Sequence, residues 1–162
     1  MQAKLGTLIG KKVLVEGDVG SGKTAFLNRL ILESLELWSR KDITIIDMAP
    51  RKRRVGRRYV GGRLSVAEAT AVGIEYFAPD RIYAPRLDGK DKREVMELAR
   101  ANASELGKAL RLAQAGKRRM LFINDLTLFL HAGDVGLLID TILTAETFAG
   151  TAYKGKFLSD DK

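Results

Sequence analysis

The sequence contains no cysteine, and only five of its 162 residues are asparagine or glutamine. The absence of cysteine excludes disulfide scaffolds, thiolate metal sites, cysteine nucleophiles and iron–sulfur clusters. The single histidine, His131, has no second histidine with which to bind a metal, and we interpret it as a loop side chain rather than a catalytic base. The scarcity of amide side chains, with 30% charged residues, favours a thermophilic source.

Long apolar runs are also missing from the chain. It has neither a stretch of about 18 apolar residues nor an N-terminal apolar segment followed by a small-residue cleavage site. We therefore expect no membrane contact and a cytoplasmic location. A chain of 162 residues, 46% of them hydrophobic, can bury roughly two thirds of its unfolded surface around one core. We expect a single domain over residues 1–162.

Strand-like and helix-like patterns alternate along the chain. Apolar runs predict strands at 11–16, 42–48, 120–124 and 147–153, with at least one more between 74 and 84. Apolar residues at helical spacing predict helices over 23–39, 90–115 and 134–143. A capping-box pattern from Ser65 to Glu68 predicts a further short helix. This alternation predicts an α/β fold with a mostly parallel sheet of about five strands and helices on both faces.

The most specific motif is Gly-Asp-Val-Gly-Ser-Gly-Lys-Thr at residues 17–24, between a predicted strand and a predicted helix. Its glycines allow backbone N–H groups to point at phosphate oxygens, Lys23 supplies a cation for the β- and γ-phosphates, and the Thr24 hydroxyl can bind Mg²⁺. The expected nucleotide-contacting residues are Gly17, Asp18, Val19, Gly20, Ser21, Gly22, Lys23, Thr24 and Ala25.

At this motif the chain resembles the P-loop NTPase superfamily, whose Walker A motif residues 17–24 match in full. The resemblance implies a three-layer P-loop domain that binds Mg²⁺-ATP and hydrolyses it. Guanine-specific members usually carry an Asn-Lys-x-Asp element, and no asparagine of this chain begins one. ATP is therefore the expected nucleotide rather than GTP.

A Mg²⁺-triphosphate site needs a carboxylate at the end of an apolar strand beside the loop. Asp125 and Asp47 each end such a strand, although an aspartate in this place can also cap a turn. We predict that Asp125 binds the metal together with Thr24. In RecA-like and partition-type ATPases, an acid at the place of Asp47 lies near the γ-phosphate or its attacking water. The resemblance thus implies that Lys23 and Asp47 are the catalytic residues.

One departure from that resemblance concerns hydrolysis. Leu126 follows Asp125, where many hydrolysing RecA-like and AAA-type enzymes have a catalytic glutamate. The remaining acids to examine are therefore Asp47 and Glu75.

Two other functions stay open: an ATP-dependent kinase or transferase, similar to nucleoside kinases or cobalamin adenosyltransferases, and a non-enzymatic ATP-binding switch or nucleic-acid-binding module. Strand order bears on the choice. A strand between the loop's strand and the Asp125 strand would favour the RecA-like class, and direct adjacency the kinase and GTPase class.

The positive charge of the chain is concentrated in one segment. Residues 51–63 carry seven basic residues and no acid, whereas the remainder has 21 basic against 20 acidic residues. We expect this segment to be a loop at the ligand-binding edge of the sheet. Such a loop could hold phosphates, reach a neighbouring subunit of a homo-oligomer, or contact nucleic acid or an acidic partner. The alternative is a run of charges that contacts only solvent. Its basic residues are Arg51, Lys52, Arg53, Arg54, Arg57, Arg58 and Arg63.

Overall fold

A computed structural model describes residues 3–66, 72–156 and 158. Its main sheet consists of β1 (Lys12–Gly17), β2 (Ile43–Asp47), β5 (Glu75–Phe77), β6 (Arg118–Asn124) and β7 (Ala145–Tyr153). A separate two-stranded sheet pairs β3 (Arg53–Val55) with β4 (Arg58–Val60). The helices are α1 (Lys23–Leu37), α2 (Pro85–Asp88), α3 (Lys92–Gln114), α4 (Thr127–Leu130) and α5 (Val135–Leu143), with 3-10 turns at Leu5–Thr7 and Arg40–Asp42.

The main sheet has the order β1-β7-β6-β2-β5, and every pair in it is parallel. Strand β7 comes last along the chain but lies between β1 and β6. The carboxyl ends of all five strands therefore meet at one edge. At that edge the loop that follows β1 and the residues that follow β6 are separated by the end of β7.

Alternate residues of the central strands face opposite sides of the sheet, and each side is covered by helices. Phe122 of β6 belongs to a buried cluster with Leu27 and Leu30 of α1. The next residue, Ile123, belongs to a second cluster with Leu106 of α3 and Leu138 of α5. The structure thus confirms the predicted α/β class, with a five-stranded parallel sheet flanked by helices.

The predicted strands and helices agree with the observed ones to within about two residues at most of their ends. Strand β6 begins at Arg118, two residues before the predicted start, because Arg118 pairs with Ala145 at the start of β7. Between 74 and 84 the strand is β5, and Pro79 follows it closely. The capping-box pattern at 65–68 extends beyond the described residues. No helix in the described ranges combines the length and the apolar character needed to span a bilayer.

The basic segment 51–63 is not the loop expected from its sequence, because most of it forms a β-hairpin. Val55 pairs with Arg58, so the turn consists of Gly56 and Arg57, and Gly56 has the positive φ of 59° that a type II′ turn requires at its first position. At the base of the hairpin, Gly61 has a φ of 74° and packs against the backbone of Pro50. In the sequence the run of arginines hides the pattern of the two strands, whereas Gly56 indicates the turn.

Candidate functional site

The segment between β1 and α1, residues 17–24, forms a glycine-rich loop at the carboxyl edge of the sheet. Gly20 and Gly22 have φ values of 77° and 87°, a region that other residues rarely adopt. Helix α1 begins directly after Gly22, and no side chain caps its first turn. The N–H groups of Lys23, Thr24 and Ala25 therefore have no acceptor within the helix, and they give this end a partial positive charge. An anion is the natural ligand of such a helix end.

Lys23 is held inside the loop by the backbone. Its Nζ donates hydrogen bonds to the carbonyl oxygens of Gly17 and Asp18, both at 2.7 Å. Partial burial lowers the pKa of Lys23, while the carboxylates of Asp125 and Asp18 act in the opposite direction. The ammonium group thus lies where an anion in the loop would compete with two carbonyl groups for it.

Asp125 follows β6 directly and has an unusual backbone conformation for a residue with a side chain, with a φ of 58°. Its N–H donates to Thr151 Oγ1 at 2.9 Å. Its carboxylate oxygen Oδ1 is buried and has no hydrogen-bond partner among the residues that the structure describes. Burial raises the pKa of Asp125 to about 6, with Lys23 opposing the shift and Asp47 adding to it.

Asp47, at the end of β2, has no exposed surface. Its Oδ2 accepts a hydrogen bond from the N–H of Leu64 at 2.7 Å, and its Oδ1 accepts from the N–H of Ala49 at 3.2 Å and from Asn124 Nδ2 at 2.9 Å. Burial raises the pKa of Asp47, and these hydrogen bonds partly oppose that shift. Both oxygens of this carboxylate therefore serve to hold neighbouring parts of the chain.

Asn124 and Thr151 link Asp47 to Asp125. Asn124 Oδ1 accepts a hydrogen bond from Thr151 Oγ1 at 3.0 Å, and the same threonine oxygen accepts from the N–H of Asp125. Asn124 Nδ2 also donates to the carbonyl oxygen of Gly62 at 3.2 Å. The sequence reasoning did not identify Asn124 or Thr151 as site residues. The available signal was a polar residue at or near the carboxyl end of an otherwise apolar strand.

One cleft brings most of the predicted site residues together. Lys23 and Thr24 line it from the glycine-rich loop, and Asp125 lines it from the end of β6. Asp47 does not line this cleft and lies beneath it, behind Asn124. The remaining lining residues are Val19, Gly20, Ala49, Tyr59, Val60, Gly61, Gly62, Asn124, Thr151, Tyr153 and Leu158.

Glu75 lies at the other end of the sheet. It begins β5, where its carboxylate accepts a hydrogen bond from Thr44 Oγ1 at 2.8 Å and pairs with Arg118 at 2.7 Å. Thr44 and Arg118 stand at or near the amino ends of β2 and β6. Because the cleft is at the carboxyl ends, Glu75 is remote from Lys23 and Asp125.

The β3–β4 hairpin lies over the mouth of the cleft. Arg58 Nη1 is 4.0 Å from the carboxylate of Asp18 in the glycine-rich loop, and the two residues line a second cleft together with Tyr59. Arg53 is paired with Asp88 at 2.5 Å. Arg63 donates to the carbonyl oxygen of Pro79. The structure therefore places the basic segment at the carboxyl edge of the sheet, beside the glycine-rich loop, as the sequence predicts.

Comparison of the sequence with protein-family models gives no match, and comparison with the curated proteins gives none either. Fold and site together define an α/β protein with a lysine-containing, glycine-rich loop opposite the half-buried carboxylate of Asp125. Within the described ranges, no three His, Asp or Glu side chains are grouped so that they could hold a metal ion by themselves. A cation in this cleft would need ligands from a bound anion or from water.

Proposed function

We propose that the chain binds a Mg²⁺-nucleoside triphosphate, ATP rather than GTP, in the cleft between residues 17–25 and Asp125, and hydrolyses it slowly. The observation that carries this proposal is the convergence on one cleft of the Lys23 ammonium group, the uncapped end of α1 and the Asp125 carboxylate. The Lys23 ammonium group and the uncapped N–H groups at the start of α1 fit phosphate oxygens. The buried, unpaired Oδ1 of Asp125 fits a cation that accompanies them.

Each residue has a distinct role in this proposal. Lys23 exchanges its two carbonyl partners for phosphate oxygens, at no net loss of hydrogen bonds. Thr24 and Asp125 hold Mg²⁺, which neutralises charge on the phosphates when bound. The chain's own contribution to hydrolysis is positional and electrostatic, because helix α1 fixes the N–H groups of Lys23, Thr24 and Ala25 before the nucleotide arrives.

Slow turnover is proposed because the cleft offers few groups that could activate water. Asp125 is the one carboxylate among its described lining residues, and that group is assigned to the metal. Asp47 has both oxygens engaged and no exposed surface, which supports a positioning role in which it fixes Asn124. Orientation of water by Asp47 remains the alternative that the sequence resemblance implies.

The strand order supports a RecA-like class for the proposed ATPase. Strand β7 lies between β1, which leads into the glycine-rich loop, and β6, which leads into Asp125. In the P-loop NTPase superfamily that the sequence resembles, kinases and GTPases are expected to have these two strands side by side. The inserted strand also places Thr151 between the loop and Asp125, where it holds the Asp125 backbone.

The test is to measure Mg²⁺-ATP affinity by titration calorimetry for the wild-type protein, Lys23→Ala and Asp125→Asn. We expect Lys23→Ala to weaken binding by at least about tenfold, since it removes a charge-assisted contact. Asp125→Asn should bind ATP with little dependence on Mg²⁺. The control is Lys11→Ala, because the exposed Lys11 side chain donates to the Thr7 carbonyl group, away from the cleft. Unchanged affinity in Lys23→Ala would refute the site.

An ATP-dependent transferase is the second candidate, favoured by a pocket that adjoins the cleft. This pocket is mainly apolar and shares Asp125, Val60 and Gly61 with the cleft, and its far wall is formed by Pro85, Leu87 and Leu128. An acceptor molecule bound there would lie beneath the hairpin and beside the proposed metal. Product analysis separates the two functions: inorganic phosphate indicates hydrolysis, and a modified acceptor indicates transfer.

A further inference from the structure

The β3–β4 hairpin has two faces of different character. The register pairs Arg53 with Val60 and Val55 with Arg58, and cross-strand partners point to the same side of a two-stranded sheet. This face is turned toward the protein, since Val60 is buried. Its two arginines have acidic partners: Arg53 pairs with Asp88, and Arg58 lies near Asp18.

The opposite face, which we call the outward face, consists of Lys52, Arg54 and Tyr59, with Arg57 in the adjoining turn. Tyr59 also lines the two clefts, so this face borders their mouths. Lys52 Nζ lies 4.6 Å from the centre of the Tyr59 ring, and Arg54 Nε donates to the carbonyl oxygen of Gly56 in its own hairpin. Tyr59 is 57% exposed. In the parts of the chain that the structure covers, no carboxylate forms a salt bridge with Lys52, Arg54 or Arg57. The positive charge of the outward face is therefore not neutralised by any carboxylate of the described residues.

Such a face is electrostatically unfavourable for an isolated chain. Lys52 and Arg54 lie on the same side of one strand and Arg57 lies in the adjoining turn, so their like charges repel each other, whereas the acidic partners among the described residues lie beside the inward face. The segment is also fixed rather than loose at its base. The N–H of Gly62 donates to the Pro50 carbonyl group at 3.0 Å, and the N–H of Leu64 donates to Asp47. The cations are thus presented on a supported scaffold at the mouth of the cleft.

We propose that the outward face binds the phosphate backbone of a nucleic acid. The guanidinium groups of Arg54 and Arg57 match phosphate oxygens in pairs, and a two-stranded β-ribbon has dimensions that the major groove of a duplex admits. A lipid surface is a poorer fit, because Tyr59 is the hairpin's one exposed large apolar side chain. The inference does not rest on ATP binding.

The test uses fluorescence anisotropy with a labelled oligonucleotide, both single-stranded and duplex, in the absence of ATP and between about 50 and 200 mM KCl. The variant Lys52→Gln/Arg54→Gln/Arg57→Gln removes three charges from the hairpin. The matched control, Lys92→Gln/Arg100→Gln/Arg111→Gln, removes three charges from exposed positions on α3. Thermal melts of both variants establish that they fold. Polyglutamate and anionic lipid vesicles serve as competing polyanions.

We expect the wild-type protein to bind more weakly as salt rises, with a negative linear slope of log K against log[KCl]. The hairpin variant should lose at least about tenfold in affinity, and its slope should become shallower by about 2 to 3, as the loss of three phosphate contacts requires. The control should stay within about twofold of wild type. Equal losses in both variants, no binding of either oligonucleotide at the lowest salt, or equally tight binding of polyglutamate or vesicles would overturn the proposal.

Discussion

Asp47 and Asn124 are joined by a buried hydrogen bond of 2.9 Å across the carboxyl ends of β2 and β6. The sheet register places these two residues directly opposite each other. Asn124 is the residue before Asp125, and its other amide atom is bonded to Thr151. A carboxylate with no exposed surface thereby fixes the backbone on which the candidate metal ligand stands.

Replacement of Asp47 should therefore reduce stability strongly. Asp47→Ala leaves the N–H groups of Leu64 and Ala49 and the amide of Asn124 without their acceptor, and we expect it to lower the free energy of unfolding by about 3–5 kcal/mol. Asp47→Asn retains one acceptor oxygen and should cost about 1–3 kcal/mol. Urea denaturation followed by circular dichroism measures both values. A loss below about 0.5 kcal/mol in Asp47→Ala would show that these hydrogen bonds contribute little.

The same Asp47→Asn variant separates positioning from catalysis. If Asp47 positions Asn124, phosphate release, ATP affinity and the urea midpoint should all decrease together. If Asp47 orients the attacking water, phosphate release should fall far more than the loss of stability explains, while ATP affinity stays at the wild-type value. Single-turnover measurement of phosphate release at saturating Mg²⁺-ATP distinguishes the two results.

Asp125→Asn should stabilise the metal-free protein at pH 7. The pKa of Asp125 is about 6 in the folded state against 3.8 for the ordinary group, so the folded protein holds more protons in that interval and its stability falls as pH rises through it. At pH 7 the penalty is complete, and its removal is worth about 1–3 kcal/mol. Urea unfolding at several pH values should show the difference from wild type disappearing below about pH 4. A stability gain that persists unchanged at that pH would contradict the prediction.

Asp18→Asn should raise the affinity for ATP several-fold. The Asp18 carboxylate lies beside the proposed phosphate site, so its neutralisation removes a repulsion between this carboxylate and the phosphates. Glu16→Gln is the control, since Glu16 is a nearby exposed acid that pairs with Lys154 at 3.0 Å. Fluorescence titration with a labelled ATP analogue measures both. Equal gains in the two variants would indicate a general charge effect and not a specific one.

Gly61→Ala should loosen the base of the hairpin. A Cβ atom at Gly61 would lie 2.9 Å from the carbonyl oxygens of Pro50 and Arg51, and the φ of 74° disfavours alanine in any case. We expect a loss of about 1–3 kcal/mol and faster trypsin cleavage within residues 51–63. Gly6→Ala is the control, because a Cβ atom there meets nothing within 4 Å. Cleavage at the wild-type rate in Gly61→Ala would refute this.

The fold class could be predicted because its signals are local. Strand β2 is buried on both faces and appears in the sequence as the continuous apolar run of a central parallel strand. Helix α3 shows its buried face through apolar residues at helical spacing, ending near Gly116. The sequence predicts a loop at residues 51–63 because this basic segment directly follows a strand that Pro50 ends, whereas Gly56 is the residue that indicates the hairpin turn.

The candidate site could be predicted only in part, for a related reason. The spacing of residues 17–24 predicts a phosphate-binding loop, and the structure brings Lys23, Thr24 and Asp125 to one cleft. Their roles toward a nucleotide stay predictions. The hydrogen bonds of Asn124 could not be predicted, since they join residues 27 and 77 positions apart and depend on strand order. No local pattern encodes that order.

The place of β7 between β1 and β6 has a consequence for how the protein folds. Strand β1 pairs with β7 in a register that joins Lys12 to Phe148. The first strand of the sheet along the chain therefore cannot pair until the last one has formed. Contacts of such long sequence separation slow folding. During synthesis, the segment that leads into the glycine-rich loop emerges early and gains its sheet partner only after residue 153 has left the ribosome. The strand that carries the glycine-rich loop is therefore among the last parts of the sheet to be completed.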